Sequence, residues 1–127
     1  MMDEPHKLLE KAERALRAAE ILMREGDAEF ASGRAYYAML HAAQALLRGK
    51  GFQYRKHAGV HSSFGKHFAK AGIINPKFHR WLLDAYDQRL HGDYEFEPAV
   101  DAETARTMIQ QAREFLQEAR RFLETRS

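Results

Sequence analysis

Apolar residues recur at spacings of three and four along most of this chain, and that spacing strongly constrains the fold. In the last segment the repeat runs from Ala102 to Leu123 without a break, so one side of a helix there would be entirely apolar. The three prolines fall where a helix would start or a loop would run, and none interrupts an apolar stripe. Stretches that alternate apolar and polar residues, as half-buried strands do, are too short to predict a β-strand. The sequence therefore predicts an all-α protein.

Capping residues and glycines divide the chain into five predicted helices. Asp3 caps the first, Asn75 the fourth and Asp101 the fifth, while Gly26 and Gly72 end the first and third. The second helix is apolar on most sides, which is typical of a central helix. The predicted helices cover residues 3–25, 27–48, 57–71, 75 to about 90–92, and 101–123, and a loop covers 91–100. We expect an antiparallel up-and-down bundle with four core helices and a short one.

Charge is distributed very unevenly, although the net charge is only +2. The stretch from Phe30 to Leu83 contains five of the seven histidines and no Asp or Glu. Its nine basic residues are Arg34, Arg48, Lys50, Arg55, Lys56, Lys66, Lys70, Lys77 and Arg80. Two interpretations stay open: these cations pair with the acidic helices outside the stretch, or they form a surface that binds phosphate groups.

Composition excludes several classes of protein. The chain has no cysteine, which rules out a disulfide scaffold, a thiol nucleophile and a Cys-rich metal site. It has no apolar run near the ~20 residues of a membrane span. Its polar N-terminus is unlike a secretory signal, so we expect a cytoplasmic protein that does not enter a membrane. The 127 residues suit a single domain, 1–127, with a core of about 5–123.

A first cluster that could carry chemistry surrounds the start of the third helix. Lys56, His57 and Lys66 could bind phosphate there with the help of the helix dipole. His57 and His61 are spaced like two metal ligands on a helix, but the Glu of a zinc-protease helix is missing between them, so we predict no metal. The chain also lacks a Walker-type or dinucleotide-binding glycine loop, and we predict no cofactor.

A second cluster is residues 89–94, Arg-Leu-His-Gly-Asp-Tyr, at the end of the fourth helix. Loops at helix ends often carry function. A simpler interpretation is that Gly92 ends the helix, that Arg89 and His91 complement its dipole, and that Asp93 caps it locally. The residue types alone favour neither interpretation.

Three stretches of the sequence resemble the HEPN domain (higher eukaryote and prokaryote nucleotide-binding) in its small prokaryotic form. They are residues 32–47, SGRAYYAMLHAAQALL; residues 56–68, KHAGVHSSFGKHF; and residues 89–94, RLHGDY. Taken in order, they extend the resemblance over about residues 5–123. The resemblance implies an antiparallel helical bundle that forms a homodimer and binds a nucleotide or RNA. It also implies a minimal nucleotidyltransferase as partner, often in a toxin–antitoxin pair.

The same resemblance implies a site. Many HEPN domains are metal-independent ribonucleases, with an Arg followed after four to six residues by a His. Here Tyr94 stands where that His would be, and His91 is only two residues beyond Arg89. The catalytic pair that the resemblance offers is Arg89 with His91, supported by Asp93, but its spacing departs from the family's motif, which favours binding over catalysis. The resemblance also marks Tyr94 as a candidate for nucleotide modification by the partner enzyme.

Three hypotheses of function stay open. The first is a nucleotide- or RNA-binding module, the second a metal-independent ribonuclease toxin acting through Arg89 and His91, and the third a purely structural dimeric bundle. Arg34 and His41 also fit the ribonuclease spacing, but they lie in another helix, and we treat that fit as coincidence. The residues predicted to bind phosphate or nucleotide are Arg34, Tyr37, Lys56, His57, His61 and Lys66.

Overall fold

The structure, a computed structural model, describes residues 3–54, 56–94 and 100–126, with the backbone alone at 91–94 and 126. Within these ranges the chain forms α1 (Glu4–Arg24), α2 (Ala28–Gly49), α3 (His57–Phe64), a π-helical turn (Gly65–Ala69), α4 (Lys77–Tyr94) and α5 (Ala102–Arg126). No strand occurs in the described ranges. The prediction of an all-α helical bundle is confirmed.

Aspartate caps and glycine turns begin and end the helices as the sequence predicts. The carboxylate of Asp3 accepts a hydrogen bond from the backbone N–H of His6, and Asp101 caps α5 in the same way. Both bonds satisfy N–H groups that have no partner within the helix. Gly26 and Gly72 follow α1 and the π turn with φ of 85° and 76°, a left-handed conformation that glycine adopts without steric cost.

α4 continues beyond the position at which we predicted its end. The predicted loop started at His91, but the backbone is helical through Tyr94. Gly92 therefore lies inside the helix and does not end it, so this part of the loop prediction is wrong. A glycine inside a helix costs about 1 kcal/mol relative to alanine, an amount that tertiary packing of the helix can offset. Arg89 and the residues up to Tyr94 consequently share one helix.

The predicted third helix changes its hydrogen-bond pattern at Gly65. The imidazole of His79 lies so close that a β-carbon at Gly65 would be 2.5 Å from the ring. His79 Nε2 also donates a hydrogen bond to the carbonyl oxygen of His61, 3.0 Å away. A side chain inserted against the backbone is a common cause of a local change in helix geometry. The α-helix ends at Phe64, and the π turn replaces the rest of the helix that we predicted.

α2 is the central helix and packs against α1, α3, α4 and α5. Twelve of its residues are buried, many of them alanines that allow close approach of the neighbouring helices. Two ion pairs join α1 to α5, Glu13 with Arg120 and Glu20 with Arg113. Because the partners advance along α1 as they retreat along α5, these two helices are antiparallel. The outer helices thus cover α2 and leave one side of it open.

Candidate nucleic-acid interface

The open side of α2 is a narrow stripe of polar and aromatic residues. Residues 31–47 are all described, and those among them that are not buried are Gly33, Arg34, Tyr37, His41 and Gln44. The partly buried Arg48 continues the line. Spacings of three and four residues keep these side chains on one face of the helix. We call these six residues the α2 seam; none of them is acidic or aliphatic.

Beneath the seam, a buried tyrosine holds two histidines together. Tyr36 has no exposed surface, and its hydroxyl lies 2.8 Å from His61 Nε2 and 3.2 Å from His57 Nδ1. Burial raises the pKa of Tyr36 and lowers the pKa of His61 to about 4, so both groups are neutral near pH 7. The hydroxyl can donate to one imidazole and accept from the other. This pairing fixes His57 at the edge of the seam.

Two arginines from different helices meet over Tyr37. Cζ of Arg34, on α2, lies 4.7 Å from the centre of the Tyr37 ring, and Cζ of Arg89, on α4, lies 5.0 Å from it. All three line a cleft of about 300 Å³, to which Glu29, Phe30, Ser32, Gly33 and Gln88 also contribute. We call this the Tyr37 cleft. In this cleft, Arg34 and Tyr37 of the seam lie next to Gln88 and Arg89 of α4.

His57 lies beside this cleft as a neutral imidazole. Its ring centre is 5.7 Å from that of Tyr37. Desolvation lowers its pKa, and the guanidinium of Arg89 lowers the pKa further. A neutral imidazole can accept a proton, and a guanidinium can hold the oxygens of a phosphate. The arrangement is therefore suited to a phosphate ester with a flat ring attached.

The structure brings some of the predicted site residues together and leaves others apart. Ring contacts and hydrogen bonds to Tyr36 or Tyr37 connect Arg34, His57, His61 and Arg89. Lys56 and Lys66 are exposed, and among the described residues neither makes a hydrogen bond, ion pair or ring contact with this cluster. Outside the described residues lie the side chains of His91, Asp93 and Tyr94, and all of Arg55.

Sequence reasoning missed the part that Tyr36 and Tyr86 have in this cluster, because both fit the apolar stripes of their helices. The Tyr86 ring lies 4.9 Å from the His61 ring, centre to centre. A signal for Tyr36 was present, since a buried tyrosine needs a partner for its hydroxyl. Two histidines one turn apart on another helix, His57 and His61, are the partners that it found.

Ion pairing accounts for only part of the acid-free stretch. Arg48 pairs with Glu4, and Lys77 pairs with Glu114, as the pairing interpretation predicts. Among the residues that the structure describes, no ion pair forms at Arg34, Lys50, Lys56, Lys66, Lys70 or Arg80. The pairing interpretation therefore holds for Arg48 and Lys77, and within the described ranges Arg34 on the seam meets no carboxylate.

Two further properties bear on the kind of site. Within the described ranges, no group of three or more His, Asp or Glu side chains is arranged to hold a metal ion. Of the helices described here, none combines the length and the apolar character needed to cross a membrane.

Comparison with known proteins identifies the family. The model of the HEPN domain matches residues 5–124. A "UPF0332 protein" of Gloeobacter violaceus is 39% identical over 94 residues, which are 74% of this chain and 75% of that protein. Two proteins of Methanocaldococcus jannaschii named "Putative toxin" are 37% and 33% identical, over 87% and 85% of this chain and 81% and 74% of their own lengths. The chain belongs to the HEPN domain family, as its resemblance predicted.

Proposed function

We propose that this HEPN protein binds RNA, or a nucleotide, through the Tyr37 cleft. The convergence of Arg34 and Arg89 on one ring, at 4.7 and 5.0 Å, carries the proposal. Two guanidinium groups beside an aromatic ring favour a ligand that combines an anion with a flat surface, as a phosphate and its base do. Phe30, 64% exposed at the same cleft, offers a second ring for stacking.

We further propose that the protein is the toxin-type member of a pair whose other member is a minimal nucleotidyltransferase. Family membership and the relatives named "Putative toxin" support the toxin-type role. The partner, the homodimer and the cytoplasmic location are proposed from the family resemblance of the sequence. Asp93 and Tyr94 lie in α4 with Arg89, within about two turns of it. We propose Tyr94 as the residue to which the partner would transfer a nucleotide, with Asp93 in a supporting role.

The binding proposal is tested by fluorescence anisotropy with a labelled single-stranded RNA in buffer containing EDTA. Arg34→Ala and Arg89→Ala should each weaken binding roughly tenfold or more, because a hydrogen bond to a charged group contributes about 1.5–3 kcal/mol. Each should also reduce the slope of log affinity against log salt by about 0.7. Arg113→Ala removes the same charge from the α1–α5 face, outside the Tyr37 cleft, and is the matched control. Absence of binding, or an equal loss in all three variants, would overturn the proposal.

The neutral His57 beside Arg89 favours a second candidate function, metal-independent cleavage of RNA. A base would take the proton of a ribose 2′-hydroxyl, whose oxygen attacks the adjacent phosphorus. The bond to the 5′-oxygen then breaks, and that oxygen leaves with a proton. Arg89 would stabilise the charge that develops on the phosphate.

Cleavage assays in EDTA distinguish this candidate from simple binding and identify the base. An enzyme should yield 2′,3′-cyclic phosphate ends and lose this activity in Arg89→Ala. Loss in His57→Ala with retention in His91→Ala would assign the base to His57, and the reverse result would assign it to His91. Cleavage that persists in Arg89→Ala belongs to a contaminant and excludes the candidate.

A further inference from the structure

A second cavity lies at the opposite end of the α2 seam from the Tyr37 cleft. Its volume is about 380 Å³, within the range of roughly 300–1,000 Å³ that is usual for small-ligand pockets. The residues that line it come from α1, from the end of α2, from the loop that follows, and from α3: Glu4, Lys7, Leu8, Lys11, Gln44, Leu47, Arg48, Phe52, Gln53, Tyr54 and Val60. We call it the Phe52 pocket.

Part of the Phe52 pocket is lined by buried apolar residues and packed rings. Leu47 and Val60, both buried, contribute to its lining. The Phe52 ring stacks on His67 with centres 4.1 Å apart and planes at 18°. It also stacks on Tyr54, at 6.5 Å and 29°. The contact with His67 positions Phe52, and the neighbouring Tyr54, 37% exposed, offers a ring face on which a planar ligand group could stack.

The polar part of the pocket supplies cations and an amide. Lys7 and Lys11 are one turn apart on α1 and exposed, and neither makes an ion pair with any residue that the structure describes. The one carboxylate in the lining, that of Glu4, pairs with Arg48. Gln44 Oε1 accepts a hydrogen bond from His41 Nδ1 at 2.8 Å, which leaves the amide N–H groups to donate. A planar group with an attached anion matches this set of donors.

The seam connects the two cavities without interruption. The Tyr37 and His41 rings are 5.9 Å apart, and His41 is bonded to Gln44, which lines the Phe52 pocket. Along α2, Arg34 and Arg48 are separated by about 21 Å at 1.5 Å per residue. One nucleotide is too short to occupy both ends.

We infer that the α2 seam binds one RNA strand of several nucleotides, with a base in the Phe52 pocket and its phosphate at Lys7 and Lys11. This inference rests on the proposed function, since it takes the Tyr37 cleft as the other end of the bound strand. It narrows the ligand class from a nucleotide to an extended single strand.

The test compares uridine oligomers of two and eight nucleotides by anisotropy in EDTA. The octamer should bind at least about tenfold more tightly than the dimer, because the second end binds intramolecularly. Lys11→Ala and Tyr54→Ala should each reduce this ratio roughly fivefold or more, given the usual contribution of a stacked base. Arg17→Ala, which removes an exposed α1 cation outside the pocket, should leave the ratio unchanged. Both lysine and tyrosine variants change exposed side chains, and thermal melting checks that they fold.

The outcomes separate the two proposals. A wild-type ratio near one, or equal effects of Lys11→Ala and Arg17→Ala, overturns the inference about the Phe52 pocket. If octamer binding then still depends on Arg34 and Arg89, the Tyr37 cleft stands without it. If Arg34→Ala and Arg89→Ala leave octamer binding unchanged, the proposed function itself fails, and the inference fails with it.

Discussion

The α2 seam and the α1–α5 face contain similar side chains and use them in different ways. On the α1–α5 face, Arg113 and Arg120 each pair with a glutamate at the surface. On the seam, Arg34 lies over the Tyr37 ring. Underneath it, Tyr36 and His61 are buried and joined by a hydrogen bond. The neighbours of a cation, more than the number of cations, therefore determine what a surface can bind. On the α1–α5 face both arginines meet carboxylates, whereas on the seam Arg48 pairs with Glu4 and Arg34 lies over the Tyr37 ring.

The largest effect is expected in how the stability of the fold depends on pH. It arises from His61, the buried imidazole beneath the seam, which has no counterpart in the ion pairs of the α1–α5 face. Folding lowers the pKa of His61 from 6.5 to about 4, so between these values the unfolded chain binds more protons than the folded chain. The free energy of unfolding should therefore rise with pH. This contribution is fully present above about pH 6.5 and is lost as the pH falls toward 4, by an amount of order 3 kcal/mol.

Urea unfolding at pH 7.5 and at pH 5 measures this effect. His61→Asn removes the titrating group, so the difference in stability between the two pH values should be smaller in the variant than in the wild type. The comparison uses each protein's own change with pH, so a general loss of stability in the variant does not obscure it. Equal changes in both proteins would show that the buried imidazole is not the source.

A smaller effect on stability is expected from changes at two glycines, one in the π turn and one on the seam. Gly65→Ala forces a β-carbon to 2.5 Å from the His79 ring and should destabilise the fold by about 1–3 kcal/mol, as overpacking does. Gly33→Ala meets no atom within 4 Å and should stabilise α2 by roughly 0.5–1 kcal/mol. Urea unfolding of both variants tests the contrast. A Gly65→Ala protein as stable as the wild type would mean that His79 moves aside without cost.

The smallest effect is expected on the α1–α5 face. Arg113→Ala and Arg120→Ala should each reduce the free energy of unfolding by about 0–1 kcal/mol, because exposed ion pairs contribute little. The loss should shrink further in high salt, which screens exposed charges. Thermal melting at two salt concentrations measures both. A loss above about 2 kcal/mol for either variant would contradict the contrast between a weakly paired face and a tightly bonded seam.

Local patterns in the sequence were sufficient to predict the helices. The three- and four-residue spacing of apolar residues reflects burial of one helix face, and Asp3 and Asp101 satisfy N–H groups only a few residues away. The two departures have different origins. The π turn depends on His79, which reaches Gly65 from another helix, and such a contact leaves no trace in spacing. The longer α4 contains Gly92. Glycine often ends a helix, but here the backbone stays helical beyond it, through Tyr94.

The candidate site was predictable as a set of residues but not as an arrangement. Arg34, Tyr37, His57 and Arg89 were all singled out from the sequence. Their convergence depends on how α2, α3 and α4 pack, which no single helix encodes. The Phe52 pocket was not predicted, since its lining comes from four separate segments.

The spacing of the seam makes the length of α2 part of the binding surface. Each residue turns a helix by about 100°, so one inserted residue between Tyr37 and His41 would rotate the second half of the seam away from the first. It would also turn buried neighbours such as Leu40 and Ala43 toward water. Insertions of about seven residues, close to two turns, would restore the alignment but lengthen the row. Substitutions can therefore alter this surface one residue at a time, whereas a single insertion or deletion would disconnect its two ends.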